Sequence, residues 1–215
     1  MTQARRRGRP RKTDRTTGTA IEDAAVARFA AQGFEGTTLR QIAADAGLDA
    51  AMISYRFGSK IGLWKGVIRQ QSDALSAHLE AAERDVGKDT APEAAAGRAL
   101  RRAMAGLIDF LLERPVVPQF LLRDVSHDPM RTAWLQDNLT LPLYRHFVAL
   151  AARAVSEGSV KRDFSDFRMA NFIYAASSSV ARRERLARVM PMLEDGATFR
   201  DALHATLIDP VFVDG

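Results

Sequence analysis

From Thr19 almost to the end of the chain, apolar residues recur at spacings of three and four, and no stretch alternates with a period of two. That pattern is the mark of amphipathic helices rather than half-buried strands. Ala is abundant and β-branched residues are sparse, which agrees with an all-α fold. The spacing predicts a first helix over Thr19–Gln32, with Ile21, Ala25 and Phe29 as its apolar stripe and Gly33 as its stop. A second helix is predicted over Thr38–Ala46, with Thr37 placed to cap it and Leu39, Ile42, Ala43 and Ala46 facing inward. Gly47 permits a left-handed turn into a third short helix, Asp49–Phe57, with Asp49 as its N-cap. Ser59 then caps a long fourth helix that reaches about Arg84.

Asp85–Pro92 has no periodicity and reads as a loop. Later helices are predicted at about Glu93–Glu113, Val117–Asp124, Pro129–Glu157, Ser165–Met190 and Asp195–Ile208, with Pro115, Pro142, Pro191 and Pro210 as breaks or kinks. The expected organisation is a basic, disordered arm over residues 1–17, a three-helix domain over 18–65, and a larger helical bundle over 66–215 reached through the long fourth helix.

Charge sharpens this division. Residues 1–60 carry 11 Lys or Arg against 6 Asp or Glu, whereas residues 61–215 carry 20 of each. All of the net charge of +5 therefore sits at the front, where an anionic partner is expected. Cysteine is absent, which excludes disulfides, thiolate metal sites and cysteine nucleophiles. The basic start is followed by polar Thr13–Ala20 rather than an apolar core, so no secretory signal is read, and the cytoplasm is the expected compartment. A charge-free run, Met169–Ala181, contains Asn171 and three Ser and is too short and polar to span a membrane. No membrane partner is expected.

Two short helices joined by a Gly-containing turn form a helix-turn-helix, here Thr38–Phe57. Its second helix would enter the major groove. With Ile53 and Phe57 packed inward, the outward set is Asp49, Ala50, Ala51, Ser54, Tyr55 and Arg56. Ser54 and Tyr55 can donate to phosphates, and Arg56 can pair with phosphate or read guanine. Thr38, Arg40 and Lys60 are expected phosphate contacts at the starts of the second and fourth helices. In the arm, Arg7-Gly8-Arg9-Pro10 followed by Arg11 suits the narrow minor groove of A·T tracts. The alternative there is a solvated tail that adds only non-specific attraction to phosphate.

The residues Ile21 to Ala25, Phe29, Gly33-Phe34, Thr37-Thr38, Ile42-Ala43, Ala46-Gly47, Tyr55-Arg56-Phe57 and Lys60 together resemble the DNA-binding domain of the tetracycline-repressor (TetR) family. Departures are Arg56 where His is common, Ser54 where an aromatic or aliphatic residue is common, and Ile61 and Gly62 where acidic residues often follow the Lys. The resemblance implies a dimeric transcriptional regulator, most often a repressor. Its helical body would bind a small-molecule effector and pair through its last two helices.

For the body, an effector pocket is expected among Met104, Phe110, Phe120, Trp134, Tyr144, Phe147, Asn171 and Tyr174, although such residues at helical spacing also build cores. A dimer interface is expected from Phe172, Ala176, Ser179, Val180, Phe199, Leu203 and Leu207, and a two-fold protein would read a near-palindromic operator. The same stripes would also pack a monomer. No catalytic constellation, cofactor motif or complete metal shell is read; Asp128 ahead of Pro129 looks like an N-cap. The competing classes are an effector-independent architectural protein of A·T-rich DNA and a helical enzyme with a basic tail.

Overall fold

A computed structural model describes residues 12–84, 94–124, 128–163 and 165–213. Among them the regular elements are helical: α1 Lys12–Gln32, α2 Leu39–Asp45, α3 Ala50–Phe57, α4 Lys60–Arg84, α5 Ala95–Glu113, α6 Val116–Asp124, α7 Pro129–Leu135, α8 Leu141–Ser156, α9 Ser165–Ala181, α10 Arg183–Val189 and α11 Gly196–Leu203. The one extended pairing there is an isolated bridge between Val160 and Phe212. No described helix is long and apolar enough to cross a membrane. The chain divides at Val67/Ile68 into two compact units.

The first unit is built on Ile21, Ala25, Val26, Phe29, Ile42, Ala43, Ile53, Leu63, Trp64 and Val67, all buried. Helix α1 begins at Lys12, seven residues before the expected Thr19. Its first residues are charged or polar, so apolar periodicity could not register a segment that needs only backbone hydrogen bonds to extend an existing helix. Arg7, Arg9 and Arg11 lie outside the described residues.

The second unit buries one cluster in which α5, α8 and α9 meet, centred on Leu100, Met104, Leu107, Phe147, Leu150 and Phe172. Phe147 packs edge-to-face on Phe172, with ring centroids 5.5 Å apart. The N-terminus of α5 carries no cap of its own. The carboxylate of Glu157 serves instead, accepting from the backbone N–H groups of Ala96 at 2.9 Å and Gly97 at 3.2 Å. An anion at this end satisfies orphan donors and complements the helix dipole.

Two expected long helices are interrupted. Between α7 and α8 the chain forms a π turn, Gln136–Thr140, just before Pro142. Proline has no N–H with which to reach back to the carbonyl of Asn138. That carbonyl accepts the Ser72 hydroxyl at 3.3 Å, and the Leu141 N–H reaches the Gln136 carbonyl in the wider π register. The second interruption, at Arg182, separates α9 from α10, and the 3₁₀ turn Pro191–Glu194 follows. Asp195 caps α11 by accepting from the Thr198 N–H at 2.7 Å, which holds its carboxyl below the usual range. A second π turn, His204–Ile208, continues the final helix.

Phe147→Ala removes a fully buried ring from the meeting point of three helices. It is expected to destabilise the second unit by about 3–5 kcal/mol in chemical denaturation.

Candidate nucleic-acid interface

Helix α2 is set by its own sequence. Thr38 is extended and is the N-cap; Gln41 Oε1 accepts from the Thr38 N–H at 2.8 Å, and Thr38 Oγ1 accepts from the Gln41 N–H at 3.3 Å. This reciprocal box satisfies two orphan donors. The expected cap, Thr37, does something else: it is buried, and its hydroxyl donates to the Gly33 carbonyl at 2.8 Å, bracing the loop after α1. Two adjacent Thr residues gave the sequence no means of separating cap from brace.

The turn between α2 and α3 is closed by backbone bonds. The Leu48 N–H reaches the Ala43 carbonyl at 2.9 Å and the Gly47 N–H reaches the Ala44 carbonyl at 3.2 Å, a Schellman arrangement that requires Gly47 at φ 67°. Asp49 then starts α3, its carboxylate accepting from the Ala51 N–H at 2.7 Å. Within α3 only Ile53 is fully buried. Phe57 is half-buried, its ring against α4 where a Cβ on Gly66 would stand 3.1 Å away.

These anchors leave Ala51, Met52, Ser54, Tyr55 and Arg56 exposed, with Ala50 half-buried. Tyr55 is 95% exposed, while Ile53, two residues away, is at 0%. A tyrosine projected fully into solvent gains nothing from packing. Met52 belongs to the same surface, three residues before Tyr55, and helical spacing alone could have added it to the outward set. Arg40 and Thr38 are exposed at the start of α2.

Three expected contact residues have intramolecular roles as well. Asp49 is committed to its cap. Lys60 Nζ donates to the carbonyls of Phe34 at 2.8 Å and Thr37 at 3.0 Å, and lies 4.3 Å from the Phe34 ring centroid. It therefore ties the loop before α2 to the start of α4. The Arg56 guanidinium lies so close to Gly18 of α1 that a Cβ there would fall 2.2 Å from Nη2. Glu22, half-buried nearby, has its carboxyl pushed above its usual range by burial, with Arg56 partly offsetting the shift. Helices α1 and α2 are joined by an ion pair in which Arg28 Nη2 meets Asp45 Oδ1 at 2.8 Å and Arg28 Nε meets Oδ2.

In the second unit, Met104, Phe110, Phe120 and Phe147 are buried in the core, Trp134 and Tyr144 are half-buried, and Asn171 and Tyr174 are exposed. None of these eight lines either of two cavities of this unit. One, of about 600 Å³, lies among α5, α6, α9 and α10. The other, of about 240 Å³, lies among α4, the first π turn and α8. Phe172, Ala176, Val180, Phe199 and Leu203 are buried in the chain's own core, and Ser179 and Leu207 are half-buried. Asp128 caps α7, and the described residues hold no group of three or more potential metal ligands of the His, Cys, Asp and Glu types.

Residues 21–67 match the family described as bacterial regulatory proteins, tetR family. The chain is similar to the HTH-type transcriptional dual regulator CecR of Shigella flexneri, at 30% identity over 135 residues. That match covers 60% of each protein, so the chain spans less than two thirds of that relative's length. A TetR-like transcriptional regulator from Rhodococcus sp. RHA1 shares its fold, with a TM-score of 0.63 at 20% identity, over 92% of this chain and 95% of that one. A ketosteroid transcriptional regulator of Mycobacterium tuberculosis does so with a TM-score of 0.59 at 20% identity, over 82% and 85%.

Asp45 has its carboxyl held below the usual range by the hydrogen bonds from Arg28. A depressed carboxyl pKa contributes stability that is present above the unfolded value and lost as pH falls through the folded one. Asp45→Asn is therefore expected to lower the thermal midpoint at pH 7, with the difference from the native chain shrinking as the pH is taken below the ordinary carboxylate range.

Proposed function

We propose that this chain, whose residues 21–67 match the tetR family of bacterial regulatory proteins, is a transcriptional regulator that sets the exposed face of α3 into the major groove of a near-palindromic operator. The observation that carries this reading is the sidedness of α3. Ile53, the buried residue of α3, faces the core, and Tyr55 is left outward at 95% exposure with no packing role. Ser54 and Tyr55 donate to phosphates or base edges. Arg40 and the backbone at the start of α2 meet the flanking phosphates. Asp49 and Lys60 contribute mainly by holding the two helices at the right angle. Arg56 reaches DNA only from a position it shares with α1. The basic residues Arg7, Arg9 and Arg11 add minor-groove or phosphate contacts beside this unit.

The regulator acts as a homodimer that responds to a small molecule by preferring one conformation of its second unit. Because Phe172, Ala176 and Val180 are occupied in the core, the pairing face is the opposite side of α9. There Phe167 is 66% and Tyr174 is 59% exposed, with exposed Asn171 between them. Asn171 and Tyr174 lie on the outer side of the charge-free run, where two copies meet without burying an unpaired charge.

Tyr55→Ala and Ser54→Ala are expected to lower affinity for a footprinted operator by about tenfold each, with unchanged circular dichroism. Wild-type affinity in both would defeat the docking. A chain lacking residues 1–11 is expected to bind more weakly and with a shallower dependence on salt. Uniform protection along A·T-rich DNA, with no single palindrome, would favour the architectural reading. Tyr174→Glu is expected to shift the protein from dimer to monomer in sedimentation; an intact dimer would place the interface elsewhere.

A further inference from the structure

The smaller cavity, about 240 Å³, is walled by Leu75 and Leu79 of α4, Leu139 of the π turn, and Pro142 and Leu143 of α8. Its position follows from the backbone. The π register before Pro142 carries Leu139, and Ser72 holds that turn through the Asn138 carbonyl at 3.3 Å. Single π turns inside helices recur at functional sites. The polar lining comes from one face of α4, where Ser72, Ser76 and Glu80 lie at successive spacings of four, with Ser76 and Glu80 at the exposed rim. Ser76 and Glu80 make no side-chain hydrogen bond or ion pair among the described residues. Opposite them, His146 also lines the cavity, with Nε2 2.8 Å from Glu83 Oε1.

The chemistry of this lining is one-sided. It offers an apolar wall, hydroxyl and carboxylate acceptors, and no Lys or Arg. A carboxylate guest would face the Glu80 carboxylate with no Lys or Arg to receive it. The larger cavity carries Arg183 and Arg188 beside Glu184 and Glu194, and so selects no single charge. We propose that the smaller cavity is the effector site of the regulator described above, and that it takes a small lipophilic amine. The guest's apolar body lies against the leucines and its ammonium donates to the Glu80 carboxylate and the Ser76 hydroxyl. The volume falls below that of a site for a drug-sized ligand, which fits a guest the size of one bicyclic aromatic group. The identification as an effector site rests on the regulator reading; the binding chemistry does not.

The test is calorimetric titration of the full chain at neutral pH with 1-naphthylmethylamine, 1-naphthalenemethanol and 1-naphthoate, with operator retention measured on the same samples. The amine is expected to bind at one site per chain, at least about tenfold tighter than the alcohol, with naphthoate undetected. Glu80→Gln is expected to remove that advantage for the amine and leave the alcohol unchanged. Leu139→Trp, or Ser76→Leu should that variant not fold, is expected to abolish binding of both. Naphthoate binding as tightly as the amine, or amine binding unchanged in Glu80→Gln, would overturn the proposed ligand chemistry. Amine binding that leaves operator affinity unchanged would overturn the effector role alone. Amine binding by a chain that recognises no specific DNA would overturn the regulator reading and leave the cavity's chemistry standing.

Discussion

An eight-residue helix has no business being stable in water on its own, and α3 is held by its surroundings at three points. Asp49 caps its start, Ile53 is sunk into the core of the first unit, and the half-buried Phe57 ring lies against α4 at Gly66. Those points fix the rotation of α3 about its axis. Once Ile53 faces in, Tyr55 must face out. The outward surface is thus a mechanical consequence of where a single isoleucine is buried.

The remainder of the first unit serves that placement. The Schellman turn at Gly47 sets the angle between α2 and α3, and Lys60 ties the loop before α2 to the start of α4 through the carbonyls of Phe34 and Thr37. An ammonium used this way gives the Thr37 carbonyl a donor and adds a second to the Phe34 carbonyl, which also accepts from the Thr37 N–H at 3.3 Å. The Arg28–Asp45 pair joins α1 to α2 from outside. In the second unit the irregular backbone has equally local causes. Pro142 forces a π turn, Ser72 occupies the carbonyl it frees, and a cavity with a polar α4 edge results.

Much of this was legible from residue spacing, and the failures share a cause. The short helices, Asp49 as cap, Gly47 at the turn and Ile53 as anchor all follow from local chemistry, and all stand where that chemistry puts them. Helix α1 starts earlier than periodicity predicts because the residues of its first turns are charged or polar and carry no apolar repeat. Thr38 rather than the expected Thr37 caps α2, because either hydroxyl can cap and only the fold decides which one is inside. The stripe on α9 was visible, but periodicity cannot say whether a stripe meets its own chain or a second copy. Phe172, Ala176 and Val180 meet their own core. The aromatic and Met residues of the second unit likewise announce packing, whereas a cavity depends on gaps between elements distant in sequence. The π turn that shapes one such gap has no signature beyond a proline.

The orientation of α3 is best tested by replacing Tyr55 with the photo-crosslinking residue p-benzoylphenylalanine, with Tyr174 replaced likewise as a control, and mapping crosslinks on operator DNA. Docking through the exposed face predicts crosslinks from position 55 to one base position in each half-site and none from position 174. DNA retained by the protein without a crosslink from position 55, or with equal crosslinking from position 174, would contradict it.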